Sequence, residues 1–348
     1  MVRSVLSSVV LAARLLVPAN AEPPAVAPTI QTEAVASVGD AADDPALWVH
    51  PTEPDKSLIL GTDKKRGLGV YDLAGKQVQF LDDGKLNNVD IRQGVIWAKD
   101  SIDLVAANSR SDDTLLLYRV VAGRLERFGP PIPAQVKEVY GICLGIDRAT
   151  GTTHLVACGK SGKVVQFTLR PDATGQPIAS LIRDFHVGGQ SEGMVVDDER
   201  GELFIAEEGV GIWRYRLVPP GDEDATARTL VDGLGPRGNL AADVEGLTIY
   251  RRDKRAGYLI ASCQGENRFA VFAREDGDRY LGSFRIGPGD GLDGAEETDG
   301  IHACAAPLGS AFPFGAFVAQ DGITANGHQN FKVVPWERIM SALESQSK

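Results

Sequence analysis

Hydrophobic positions in this chain fall in short runs of four or five residues, and six of those runs end alike. Each passes through Gly, Ala or Cys into a polar turn. The runs are 58–61 before Thr62-Asp63-Lys64-Lys65, 104–107 before Asn108-Ser109-Arg110, and 155–158 before Gly159-Lys160-Ser161. They continue with 203–206 before Glu207-Glu208-Gly209, 259–263 before Gln264-Gly265, and 316–319 before Gln320-Asp321-Gly322. Counted from Gly61, Ala107, Cys158, Ala206, Cys263 and Ala319, the steps are 46, 51, 48, 57 and 56 residues. Apolar runs this short are strands, and a strand repeat of this length is a propeller blade rather than a helical solenoid unit. The pattern predicts an all-β, six-bladed β-propeller with four-stranded antiparallel blades. Residues 32–37 are expected to lend a strand to the last blade and close the ring. Trp336, Ile339, Met340 and Leu343 sit at i, i+3, i+4 and i+7, which predicts a short C-terminal helix.

A second series has the same period. Each apolar run is preceded by a strand that opens on a polar residue: Asp44, Asn88, Tyr140, Glu192, Glu245 and Asp299, in steps of 44, 52, 52, 53 and 54. Innermost strands line the channel of a propeller, so these six residues are expected to ring its mouth. Four carboxylates in one ring repel strongly at low dielectric unless a cation or protons intervene. Glycine follows Tyr140, Glu192, Glu245 and Asp299, which suits a backbone passing close to a ligand or a neighbouring blade.

The turns of the first series divide by sign. The first three blades carry Lys64, Lys65, Arg110 and Lys160; the last three carry Glu207, Glu208, Gln264, Gln320 and Asp321, with Asp243 and Glu245 close by. Cations on one side and metal-binding oxygens on the other suit a highly phosphorylated small molecule, with metal ions screening part of its charge.

Composition narrows the field. A net charge of −11 argues against nucleic acid and anionic membranes as partners. No phosphate-binding glycine loop, Cys-x-x-Cys pair or serine nucleophile elbow occurs, and the five His lack metal-ligand spacing. A hard cation bound by oxygen, calcium above all, is what the acidic ring would take. Residues 1–21 read as a secretory signal, with Arg3, an apolar run over 5–16 and Ala19-Asn20-Ala21. One domain over 22–348 is therefore expected, periplasmic or secreted, as a monomer. Of the four Cys, 143 and 158 fall on neighbouring strands where a bridge is geometrically open; buried free thiols are the other reading of Cys143, Cys158, Cys263 and Cys304.

The chain resembles the β-propeller phytases, the calcium-dependent alkaline phytases of 3-phytase type. The likeness lies in GDAADDPALWVH at 39–50, GTDKKRGLGVY at 61–71, KLNNVDIR at 85–92 and EVYG at 138–141. It continues through QSEGMVVDD at 190–198, LFIAEE at 203–208, DVEGLTIY at 243–250 and YLIASCQG at 258–265. TDGI at 298–301, FVAQDG at 317–322 and QNFKVVPWER at 329–338 complete an ordered set over about residues 32–340. The resemblance implies hydrolysis of myo-inositol hexakisphosphate with several calcium ions at the channel mouth. It implies that Asp44, Glu192, Glu207, Asp243, Glu245, Gln264, Asp299 and Asp321, with Glu208, hold metal or water. Lys64, Arg110, Tyr140 and Lys160 would contact phosphates, with Lys65 near a second phosphate position. Glu192 would orient the attacking water, without a covalent phosphoenzyme. The chain departs from the usual pattern at Asp63, Gly209 and Glu297, and in the order Asn108-Ser109-Arg110, on which the reach of Arg110 depends. Two other readings stay open: a calcium-dependent propeller lactonase or ester hydrolase, and a non-catalytic calcium-stabilised binding propeller. The basic half-ring speaks against the first.

Overall fold

The computed structural model describes residues 22–219, 221 and 226–346. Within them six sheets, antiparallel except where Ala25–Val26 adds a parallel strand to the fifth, are built around one channel. Their innermost strands are Ala42–Trp48, Leu86–Trp97, Val139–Ile146, Ser191–Asp197, Val244–Arg251 and Ile301–Cys304. Each touches the next, and the last touches the first, so the ring is closed. The second strands Leu58–Asp63, Gly257–Cys263 and Ala316–Asp321 are buried at every position. Both faces of a blade pack on neighbours, which is why these strands read as continuous apolar runs instead of alternating ones. The core is accordingly distributed between blades, as in the cluster that joins Trp97, Phe128 and Phe167 across the second and third.

Two features aim polar residues at the channel mouth. Five innermost strands begin with a break in register against their neighbours, between Ala42 and Pro45, Leu86 and Val89, Val139 and Gly141, Ser191 and Met194, and Val244 and Leu247. A bulge of this kind bends the strand and re-aims its side chains, and bulges favour the rims of such folds. The glycines that follow the ring residues then let adjacent blades close up. A Cβ on Gly193 would lie 2.0 Å from the Glu245 carbonyl oxygen, and one on Gly246 would lie 2.6 Å from that of Asp299.

The ring is closed by the N-terminal segment, slightly earlier than expected. Ile30–Gln31 pairs with Val333 and Lys332 as the outer strand of the sixth blade. Thr32 and Val35 still donate to the Phe331 and Gln329 carbonyls, but the chain then leaves the sheet. The C-terminal helix runs Trp336–Gln346 and buries Trp336, Ile339 and Leu343. Trp336 stacks on Tyr250 at 3.7 Å, tying the helix to the fifth blade. All four cysteines are free thiols. Cys143 lies opposite Val156 and Cys158 opposite Gly141, so the two never face each other across the pair. No helix among the described residues is long and apolar enough to cross a membrane. The leader-like stretch 1–21 lies outside them.

Candidate functional site

Five of the six strands run further than the apolar runs suggested, and this decides which side chains reach the mouth. Asp63, Ser109, Gly159, Glu207, Cys263 and Asp321 are the last strand residues, and the turn begins one position later. Lys64, Arg110, Lys160, Glu208 and Gln264 are thus the first residues free of the pleat. Lys64, Tyr140, Glu208, Asp243, Glu245, Gln264, Asp299 and Gln320 line one open cleft of about 620 Å3.

At the base of the mouth, Glu192, Glu208 and Glu245 bring carboxylate oxygens within 4.8 Å of one another, and all three are buried. Asn87 Nδ2 donates to Glu192 Oε1 at 2.6 Å and Gln190 Nε2 to Glu208 Oε2 at 2.9 Å. Glu208 Oε1, Glu245 Oε2 and Asp43 Oδ1 are buried without a hydrogen-bond donor. Burial, then repulsion from Asp43, Glu245 and Asp299, pushes the Glu192 carboxyl well above the usual range. Glu245 is raised in the same way by burial and by Glu208, Asp299 and Asp43. Asp299 is pushed up to about 7 by burial and Asp43, with Lys64 offsetting part of the effect. Asp44 sits one layer down, lining the channel with Asn88 and Asp90, and accepts from the Val89 amide at 3.0 Å. Gln264 Nε2 donates to Asp299 Oδ1 at 2.5 Å, and Gln320 Oε1 accepts from the Asp299 amide at 2.8 Å. The set is all oxygen, rich in carboxylates and short of hydrogen-bond donors: chemistry that suits a hard divalent cation.

The basic groups face this cluster. Lys64 Nζ lies 2.6, 3.2 and 2.9 Å from Asp40, Asp43 and Asp299. Burial disfavours its charge, but Asp43 and Asp299 outweigh that and raise its pKa. The Tyr140 ring carries Lys160 Nζ at 4.6 Å and Arg110 Cζ at 5.7 Å from its centroid. Arg110 therefore reaches the mouth despite the altered order of its turn. Burial and the nearby Glu192, Glu245 and Asp43 push the Tyr140 phenol up, so it stays a donor.

Three of the anticipated residues lie elsewhere. Glu207 faces into its own blade, where Oε1 accepts from the Gly189 amide at 2.6 Å and Oε2 from Trp213 Nε1 at 2.7 Å. Asp321 is fully buried against Lys332 at 3.0 Å. Lys65 is exposed, with Nζ donating to the Val38 carbonyl. In strands a shift of one residue exchanges faces, so Glu207 and Asp321 turn inward while Glu208 and Gln320 meet the cleft. Asp40, Asp43, Asn87 and Gln190 were missed. The doublets Asp43-Asp44 and Asn87-Asn88 carried a signal: a bulge presents two residues where one is counted.

A family model described as Phytase matches residues 2–348. The chain is similar to the 3-phytase of Bacillus subtilis (strain 168), with 41% identity over 324 residues, 90% of this chain and 84% of that protein. Among solved structures it is similar to the β-propeller domain of Myceliophteria thermophila Cps50 (Swd1), at a TM-score of 0.47 and 14% identity over 84% of this chain and 83% of that one.

Proposed function

Since this chain belongs to the phytase family, we propose that it releases inorganic phosphate from myo-inositol hexakisphosphate, with calcium ions held at the channel mouth. One observation carries the reading: a knot of buried glutamates with unpartnered oxygens shares a rim with Lys64, Arg110 and Lys160. Glu192, Glu208 and Glu245 are the central ligands, flanked by Asp44, Asp243, Gln264, Asp299 and Gln320. Glu207 and Asp321 belong to the scaffold. When bound, calcium supplies positive charge that neutralises carboxylates and phosphoryl oxygens and acidifies nearby water.

The chain's own groups do the rest. Arg110, Lys160 and Lys64 hold phosphates, the guanidinium in a fork and the ammonium groups as point charges. Tyr140, kept protonated by its surroundings, donates to a phosphoryl oxygen and stabilises the charge developing there. Glu192 orients the attacking water and takes its proton. The new P–O bond forms from that water as the P–O bond to the inositol ring breaks in line, and no covalent phosphoenzyme intervenes. The chain shows no His or Cys nucleophile motif, which motivates direct attack by water. The active unit is one domain, 22–348, exported behind the leader 1–21 and working as a monomer on a small-molecule substrate.

Phosphate release from calcium phytate, run beside a lactone and a simple aryl phosphate, tests the reading. Release from phytate that EGTA abolishes and calcium restores is the expected result. Turnover of the lactone alone overturns the substrate, and release undiminished by exhaustive chelation overturns the metal.

A further inference from the structure

Asn87 joins the two halves of the mouth. It is fully buried, at the bulge that opens the innermost strand of the second blade. Its Oδ1 accepts from Arg110 Nη1 at 2.8 Å, and its Nδ2 donates to Glu192 Oε1 at 2.6 Å and to the Tyr140 carbonyl at 3.2 Å. Arginine offers only donors and an ionised carboxylate only acceptors, so the group between them must carry one of each on a short, planar frame. A side-chain amide does, and it carries no charge.

The contrast with Lys64 gives this bridge its meaning. Lys64 is ion-paired with three carboxylates. Arg110 makes no ion pair among the described residues, and its partners are the Asn87 amide and the Tyr140 ring. A neutral partner fixes a cation in place without cancelling its charge. We propose that Asn87 is a positioning residue that holds Arg110 and Glu192 apart while hydrogen-bonded to both. Arg110 thereby keeps its full charge for a phosphate, and Glu192 is kept from collapsing onto Arg110 as a closed ion pair. The proposal rests on the phosphate-binding role given to Arg110 above.

The test uses the full chain and inositol hexasulfate, a non-hydrolysable polyanion, with binding read by calorimetry and turnover of phytate read separately. Asn87→Asp keeps the shape but gives Arg110 a charged partner and sets an acceptor against Glu192. Its Kd for the hexasulfate is expected to rise about tenfold, the loss typical of a hydrogen bond to a charged group. KM for phytate should rise in parallel. Asn87→Ala should weaken binding similarly, and in an Arg110→Ala background it should add less than about twofold, because coupled residues are not additive. Melting curves confirm that each variant folds, and Asn87→Asp serves alone where Asn87→Ala does not. Hexasulfate binding by Asn87→Asp within twofold of the parent, or losses from Asn87→Ala and Arg110→Ala that simply multiply, overturn the proposal. A parent protein that binds hexasulfate but releases no phosphate from phytate breaks the functional reading instead and leaves this binding test standing.

Discussion

The two ends of the channel bury charge in opposite ways. At the mouth, Asp43, Glu192, Glu208, Glu245 and Asp299 crowd together with Lys64 the cation among them, and several oxygens have no partner. Asp197 lies five residues past Glu192 on the same strand, about 17 Å away by strand rise. There the buried aspartates each have a cation built in. Arg274 binds Asp197 through two parallel contacts of 2.7 and 2.8 Å, and Arg92 lies 3.0 Å from Asp90 and 3.3 Å from Asp198. Arg200 and Arg214 share Asp278. Although burial works against it, Asp198 is held below the usual carboxylate range by Arg92 and Arg251. Buried acids thus mark architecture where their cations are built in, and a binding site where the cation must come from outside. Identity of residue type does not separate the two cases; the local balance of charge does.

Breaking the balance at each end separately tests the comparison, and the mouth should give the larger effect. Glu192→Gln removes the acceptor for the proton of the attacking water. Phosphate release should fall by about 10²–10⁴-fold, the usual contribution of a positioned base, with the fold intact. A turnover assay beside a melting curve reads both, and near-normal turnover would remove Glu192 from its role. The far end should respond in the opposite sense. Arg274→Met leaves Asp197 buried without its cation, at a cost of about 3–5 kcal/mol in unfolding free energy. Activity per folded molecule should be unchanged in this variant, as measured by urea titration and active-site counting. A loss of turnover without loss of stability would show that the far end does more than hold the blades.

A smaller effect should come from easing the crowding at the mouth itself. Glu245→Gln removes one charge from the cluster. In EGTA it should raise the unfolding free energy by about 1 kcal/mol, the equivalent of roughly one pKa unit of relieved repulsion. With calcium the order should invert, because a ligand is lost. If Glu245→Gln lowers stability in both conditions, its carboxylate is a structural acceptor and the surplus of charge has no binding role.

Much of this contrast was legible in the chain. The blade repeat gave six sheets, and the polar openings gave the ring of Glu192, Glu245 and Asp299, because strand period and burial write themselves into apolar runs. The face taken by Glu207 or Glu208, and by Gln320 or Asp321, was not legible. Facing depends on which residue leaves the pleat first, and the apolar runs before Glu207 and Gln320 end before their strands do. Asp43 and Asn87 were hidden for a related reason: register breaks at the start of the innermost strands bring an extra residue to the rim. The pairing of Arg274 with Asp197 joins residues 77 apart, and no local pattern announces it.

The smallest expected effect concerns pH, and it sets a group in the channel wall against the mouth. Asp299 has its carboxyl pushed up to about 7, and Glu192 and Glu245 are raised as well. A carboxyl with a folded pKa above its unfolded value binds more protons when folded. Its stabilising contribution is present at low pH and is lost as pH rises through the folded pKa. In EGTA, stability should therefore fall between about pH 5 and 7.5. His302 works the other way. Burial, with Arg92 and Arg251, lowers it to about 4 against the pull of Asp90, so the unfolded chain binds more protons between about pH 4 and 6.5. Its contribution grows as pH rises through that window and partly masks the loss at the mouth. His302→Gln should therefore steepen the decline in melting temperature from pH 5 to 6.5 and leave it unaltered above pH 7. Calcium, by neutralising the mouth, should reverse the slope in the parent and expose the His302 contribution alone. A melting profile of His302→Gln that is flat in EGTA would mean that the clustered acids are ionised in solution without cost, and the distinction between the two ends would fail.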